Sequence, residues 1–119
     1  MQWITKHGNK HTCGKSLVIS NVISDTPEFA LVKNIYIVNA SVHCFECQPF
    51  STVGWNNHYL SYEVEVPCLA QADIFVDAEK LVDHTPYYYI NFNNSKYIPV
   101  KYDLTDIIEH HEFDVFSSF

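Results

Sequence analysis

The sequence predicts a mainly β domain, namely a small, partly open barrel or sandwich of six to seven short strands with a short C-terminal helix. Apolar and polar residues alternate along several short segments, which is typical of strands, and turn residues recur roughly every eight to twelve residues. The 119 residues are 47% hydrophobic, enough for one buried core. We therefore expect one β-rich domain over residues 1–104 and an acidic helix or tail over 105–119.

The first half of the chain contains three predicted strands. Residues 15–22 (KSLVISNV) alternate, and 28–38 (EFALVKNIYIV) are apolar on both alternating sets, so we expect the second strand to be covered on both faces. Phe29, Leu31, Ile35 and Ile37 fall on one predicted face, and Ala30, Val32, Tyr36 and Val38 on the other. A tight turn at 39–40 leads into a strand over 41–50, and 49–57 is predicted to be a loop broken at Gly54.

The strand predicted over residues 58–66 (HYLSYEVEV) shows the cleanest alternation. Its inward set is Leu60, Tyr62, Val64 and Val66, and its outward set is Tyr59, Ser61, Glu63 and Glu65. A short strand at 74–76 and a helical turn at 77–82 follow. Segments 87–92 and 96–104 form a second predicted hairpin, whose later strand contains Pro99 and is therefore expected at an edge or with a bulge. Asp106 and Glu109 resemble a capping box for a terminal helix that ends near residue 113.

Charge and composition exclude several function classes. The net charge is −7, from seven Lys and fourteen acidic residues with no Arg, so we expect no specific nucleic-acid binding. Three glycines are too few for a Gly-rich phosphate loop. No apolar run is long enough for a membrane span, and the N-terminus lacks an export signal, so we expect an intracellular protein with no membrane partner.

The cysteines do not form a convincing metal signature. Cys44 and Cys47 are three residues apart in a predicted strand, so their side chains should face opposite sides. Cys68 stands alone, and a second ligand pair of a zinc site is missing. We predict free thiols, no metal and no other cofactor, with no catalytic residue assigned. Two alternatives remain: a small hydrolase or metal-dependent enzyme that uses His58 and His84 with a cysteine, and weak nucleic-acid binding by the Lys-bearing N-terminal third.

Exposed aromatic residues beside carboxylates suggest a binding surface. Tyr59 and Glu63 share the outward face of the strand at 58–66, and Trp55 lies in the predicted loop just before it. Aromatic rings with a carboxylate can hold an ammonium group, so we predict that Trp55, Tyr59 and Glu63 bind a partner. The alternative is that Trp55 plugs one end of the barrel.

Several short motifs resemble those of a known type of domain. They are Pro-Glu-Phe at 27–29 before an Ile/Val-rich strand, WNNHY at 55–59, LVDHTP at 81–86 and Lys-Tyr at 101–102. Over residues 14–104 the chain resembles the uncharacterised β-rich C-terminal module of mobile-element-like proteins of fish and invertebrates. A predicted strand after Gly14 and the pattern Phe-x-x-Val-x-x-Ile at 29–35 are also similar in outline to the BAH and SH3-like barrels of chromatin readers. The resemblance implies a β-rich module and transfers no functional residues.

These observations together predict a non-enzymatic protein-interaction module. The expected partner is a protein or a basic, Lys-rich peptide, because an acidic surface attracts basic ligands. A homo-oligomer formed through an exposed edge strand is a further expectation.

Overall fold

The alternating segments form β-strands over most of the residues that the structure, a computed structural model, describes: 2–40, 43–67 and 71–100. The mainly β prediction is confirmed. The helix or tail predicted over 105–119 lies outside the described residues. The strands are β1 (Trp3–Lys6), β2 (Asn9–Thr12), β3 (Leu17–Ile23), β4 (Thr26–Ile37), β5 (His43–Pro49), β6 (Ser51–Asn56), β7 (Ser61–Glu65), β8 (Ile74–Asp77), β9 (Ile90–Phe92) and β10 (Ser95–Pro99), with a 3₁₀ turn at Ala78–Lys80.

These strands form three antiparallel sheets. The first sheet has the order β3-β4-β5-β8 and the second sheet has the order β6-β7-β10-β9. The N-terminal hairpin, β1 and β2, is a separate two-stranded sheet. The first and second sheets pack face to face as a sandwich, and the N-terminal hairpin covers the opposite face of the first sheet.

Two separate apolar clusters result, one on each face of the first sheet. The sandwich core lies between the first and second sheets; its buried members are Leu17, Ile19, Phe29, Phe50, Tyr62, Val64, Tyr87 and Ile98. The hairpin core lies between the first sheet, the N-terminal hairpin and the 3₁₀ turn; its buried members are Ile4, Val18, Ala30, Val32, Ile35, Phe45, Cys47, Ala78 and Leu81.

A β-bulge in β4 changes which residues share a face. The pairing of β4 with β5 shifts between Val32 and Asn34, and one extra residue reverses the alternation beyond it. Ile35 therefore joins Val32 in the hairpin core, so the prediction that it shares a face with Phe29 is wrong. Tyr36 is 47% exposed, so burial on both faces holds only for the first half of the strand.

The segment 49–57 is mostly strand, so the predicted loop is wrong. β6 pairs with β7 along its length, with a register shift between Thr52 and Gly54. A glycine inside a strand often marks a bulge rather than an end. The β6–β7 ladder therefore continues past Gly54 with a bulge, and the residues taken as loop signals lie within a strand.

The strand expected at 58–66 is shorter than its alternation predicts. Tyr62 and Val64 are buried inward as expected, but Leu60 and Val66 lie outside β7 and are 54% and 42% exposed. Leu60 has a φ of 50° and belongs to the β6–β7 turn. The alternation therefore predicted the inward face of the strand correctly but not its ends.

The strand that contains Pro99 is internal, not an edge strand. β10 pairs with β7 on one side and with β9 on the other, and neither pairing has a register shift. The pairing with β9 spans only Ser95 to Tyr97, so Pro99 has a ladder partner on one side alone. A proline at such a strand end removes no hydrogen bond towards the shorter neighbour.

The N-terminal hairpin was not predicted from the sequence. His7 and Gly8 connect its strands with φ values of 51° and 79°, and two successive positive φ values are typical of a type I′ hairpin turn. The His-Gly pair is the local signal that would have revealed it.

Among the described residues, the 3₁₀ turn falls inside the helical turn predicted at 77–82, and no helix has the length and apolar character needed to cross a membrane.

Candidate functional site

The three residues predicted to bind a partner do not share one face of the second sheet. Trp55 pairs directly with Tyr62, whose side chain belongs to the sandwich core. The two rings meet edge to face, with centroids 4.9 Å apart, and Trp55 Nε1 donates to Asn57 Oδ1 at 2.6 Å. Glu63 follows Tyr62 in β7 and therefore faces outward. Trp55 thus packs at the end of the sandwich core, separate from Glu63.

Tyr59 lies on the outward side of the second sheet as part of an aromatic patch, which we define as Tyr59, Phe92 and Tyr97. Its ring centroid is 5.2 Å from that of Tyr97 and 5.5 Å from that of Phe92, both in edge-to-face geometry. These separations fall in the favourable range for aromatic pairs. Tyr59 remains 39% exposed and Phe92 remains 46% exposed. The patch therefore presents ring surface to solvent.

The backbone of the β6–β7 turn holds Tyr59 in place. Its amide donates to Asn56 Oδ1 at 3.0 Å, and its carbonyl accepts from Ser61 Oγ at 2.9 Å. Leu60, with its positive φ, reverses the chain direction between these contacts. Short polar side chains that bond the local backbone are a common way to order a turn. The tyrosine ring thus projects from an ordered support.

The register of the second sheet places Glu63 beside the patch. Glu63 and Tyr97 are direct cross-strand partners, and such neighbours have Cβ atoms about 4.5–5.5 Å apart. Tyr97 faces outward, yet it is only 9% exposed because the Tyr59 ring lies against it. Phe92 pairs with Ser95, two residues before Tyr97, so it shares this face. Glu63 therefore lies at the side of an aromatic surface.

Negative charge dominates the strand beside the aromatic patch. Glu65 lies two residues beyond Glu63 in β7 and is exposed on the same face. The ion pairs found within residues 2–40, 43–67 and 71–100 involve Glu79 and Asp73, not these two glutamates. A groove of about 220 Å³ adjoins them and is partly lined by Asn94 and Lys96. Both carboxylates can therefore accept a basic ligand without losing an internal ion pair.

The nearest lysine on this sheet is directed elsewhere. Lys96 pairs with Val64, an inward-facing residue, and so lies on the opposite side of β10 from Tyr97. Its Nζ lies 4.9 Å from the Tyr89 ring centroid and donates to Asn91 Oδ1 at 2.8 Å. Lys96 thus shows that this chain holds an ammonium group over a tyrosine, while leaving the outward face acidic.

The histidines of the enzymatic alternative lie in different parts of the fold. His58 is in the β6–β7 turn against Tyr59, with ring centroids 4.8 Å apart. His84 follows the 3₁₀ turn and stacks on His7 of the N-terminal hairpin at 4.3 Å. A catalytic set that uses either His58 or His84 would need its nucleophile and its orienting group beside that one histidine. The two histidines therefore do not belong to one shared site.

The cysteines within the described ranges are equally dispersed. Cys44 and Cys47 are free and face opposite sides of β5, because Cys47 is buried in the hairpin core and Cys44 is three residues away. Burial raises the pKa of the Cys47 thiol to about 12, which keeps it protonated and unreactive. Within the described parts of the chain, no three His, Cys, Asp or Glu residues are arranged to hold a metal ion. Cys68 lies outside those parts.

Phe92 was not among the residues predicted from the sequence to bind a partner. The signal is in the β9–β10 turn, where Asn93 and Asn94 have φ values of 52° and 65°. A two-residue turn of this type fixes the register, which puts Ile90, Phe92 and Tyr97 on one face.

Comparison of the chain with protein-family models, curated proteins and solved structures found no match in any of the three.

Proposed function

We propose that this chain is a non-enzymatic protein-binding module that takes Lys-rich peptide segments on the outward face of its second sheet. The observation that carries the proposal is the aromatic patch with Glu63 as the cross-strand neighbour of Tyr97. A lysine ammonium can lie over exposed tyrosine and phenylalanine rings while its charge is balanced by a carboxylate.

Long-range charge supports the same partner class. The chain carries −7 overall without an arginine, so it attracts basic ligands and repels nucleic acid. Lysine rather than a purely apolar ligand is favoured because Glu63 and Glu65 lie along the patch and face the same side. Burying those carboxylates under an apolar partner would cost free energy without compensation.

The direct test is a peptide-binding titration by fluorescence anisotropy at low salt. We expect a Lys-rich peptide to bind and the same peptide with acetylated lysines to lose affinity, since acetylation removes the charge. Tyr59→Ala should weaken binding about 2- to 30-fold, the equivalent of roughly 0.5–2 kcal/mol per cation–ring contact. Glu63→Gln should weaken it and reduce its salt dependence.

Matched variants separate the patch from general surface effects. Tyr88 is 47% exposed and lies outside the patch, so Tyr88→Ala should leave affinity unchanged. Glu28→Gln alters a carboxylate of the first sheet by the same charge as Glu63→Gln. Equal losses of affinity for Glu28→Gln and Glu63→Gln would show that net charge alone, and not the aromatic patch, drives binding. No binding of any Lys-rich peptide by the unmodified chain would refute the proposal.

A further inference from the structure

The N-terminal hairpin is held against the first sheet by very few side chains. It has its own two-stranded ladder, and only Ile4 and His11 in it are buried. These two residues are direct cross-strand partners and enter the hairpin core together. On the outer side, Trp3 is 53% exposed with Lys10 Nζ 4.6 Å from its ring centroid. One of the two buried side chains of the hairpin is therefore a histidine.

His11 occupies an apolar site. Its side chain is completely buried, and its ring centroid lies 5.2 Å from that of Phe45. Neither Nδ1 nor Nε2 has a hydrogen-bond partner. An imidazolium ion carries two N–H donors and a positive charge. The backbone of His84 lies close enough to offset part of this cost, but no carboxylate among the described residues forms an ion pair with the ring. Burial of the ring in the docked hairpin therefore favours the neutral form of His11.

The groups around His11 offer its charged form little compensation. Lys6 and His7 of the N-terminal hairpin both pair with Glu79 of the 3₁₀ turn, so that carboxylate is already engaged. His84 lies close enough to repel a charged His11 when it is itself protonated, and its own Nδ1 is buried without a partner. Another titratable group is His43, which lies two residues before Phe45 in β5 and has a buried Nδ1 without a hydrogen-bond partner. The surrounding elements also carry Cys13, Cys44, Cys47, Asp77 and Asp83. Of the carboxylates, Asp77 bonds Glu79 N and Asp83 bonds Tyr87.

We propose that the N-terminal hairpin is an acid-labile flap: protonation of His11 releases it from the first sheet and exposes the hairpin core. The rest of the fold stays assembled, because the sandwich core is closed by the two larger sheets without the hairpin. Local opening of a weakly anchored element below the global unfolding free energy is common in small proteins.

The direction of the pH effect follows from linkage. Burial is the largest influence on the His11 pKa and lowers it from the usual 6.5. Two smaller influences come from His84: a backbone hydrogen bond raises the His11 pKa, and the charge of the His84 ring lowers it. The docked state then binds fewer protons than the open state below about pH 6.5, so docking weakens as the pH falls. One such proton changes the opening equilibrium by at most tenfold per pH unit.

Hydrogen exchange measured by mass spectrometry tests the flap in the full chain. After correction for intrinsic exchange rates, we expect amides of residues 3–12 to lose protection several-fold, and at most about eightfold, between about pH 7 and about pH 5.5. Amides of β7 and β10 serve as the internal reference and should keep their protection. Uniform loss across both regions, or no loss in residues 3–12, would overturn the proposal.

Two histidine variants assign the effect. His11→Phe keeps a ring against Phe45 and removes the titration, so residues 3–12 should remain protected at the lower pH. His58→Phe changes an exposed histidine of the second sheet and should leave the wild-type pH dependence intact. An unchanged pH dependence in His11→Phe would refute the role of His11. If that variant does not fold, NMR titration of the His11 ring in the wild-type chain decides, because ring protonation and hairpin opening must then occur over the same pH range.

Discussion

The two faces of the first sheet are covered in different ways. The sandwich core is closed by a four-stranded sheet and is rich in aromatic rings. The ring centroid of Phe29 lies 5.7 Å from those of both Tyr62 and Tyr87. The Tyr87 hydroxyl donates to Asp83 Oδ2 at 2.5 Å. The hairpin core is closed by a two-stranded hairpin and contains the unpartnered ring of His11.

This difference shows that burial alone does not define stability. Phe29 and His11 are both completely buried, yet one makes ring contacts to two buried tyrosines and the other leaves two polar nitrogens unsatisfied. Unsatisfied buried polar atoms cost free energy, whereas apolar packing supplies it. We therefore expect the sandwich core to determine global unfolding and the hairpin core to determine local opening.

The largest effect is expected for Phe29→Ala in the sandwich core. Removing a fully buried ring in contact with two tyrosines should lower the free energy of unfolding by about 3–5 kcal/mol. Urea denaturation followed by circular dichroism measures it. Phe75→Ala is the control, because Phe75 is 66% exposed on β8 and should change stability by less than about 0.5 kcal/mol. Similar losses for both variants would contradict the assignment of the sandwich core.

Trp55→Ala should have an intermediate effect. Its ring is half-buried against Tyr62, so we expect a loss of about 2 kcal/mol in the free energy of unfolding. Affinity for a Lys-rich peptide should stay within about twofold, because Trp55 and Glu63 face opposite sides of the second sheet. A stable Trp55→Ala variant that no longer binds peptide would instead place Trp55 in the binding surface.

The smallest effect compares one methyl group in each core. Ile4→Val and Ile98→Val make the same chemical change at buried positions and should each cost about 0.5–1.5 kcal/mol. For Ile98, in β10, the loss should appear in global urea denaturation. For Ile4, it should appear as faster hydrogen exchange in residues 3–12 with little change in the denaturation midpoint. Identical behaviour of the two variants would show that the cores unfold as one unit.

Local patterns predicted much of the fold, and their failures share a physical cause. The inward face of β7 and the strand character of β3, β4 and β5 followed from alternation. The errors occurred where one residue changed the geometry: a bulge reversed the face of Ile35, Gly54 bent a strand that was expected to end, and Pro99 occupied the end of an internal strand. Such features depend on the partner strand, which a single segment does not contain.

The candidate site divides in the same way. The outward position of Glu63 could be predicted from period-two alternation, and the acidic, arginine-free surface from composition. Tyr59 also lies on the outward side as predicted, but the β6–β7 turn and not strand alternation places it there. The contact of Tyr59 with Phe92 and Tyr97 could not, because these residues come from different strands. Trp55 was misplaced because its segment was taken as a loop, where the side-chain direction is not fixed by strand geometry.

The sequence by itself determined that this chain is mainly β, that its surface is acidic and that Cys44 and Cys47 face apart, because composition and strand periodicity act locally. Only the tertiary structure decided which aromatic rings meet, that Trp55 packs inward and that His11 is buried without a partner. These properties depend on pairing register and on which sheet covers which face. Both are set by contacts between residues far apart in the chain, where the free energy of packing exceeds any local preference.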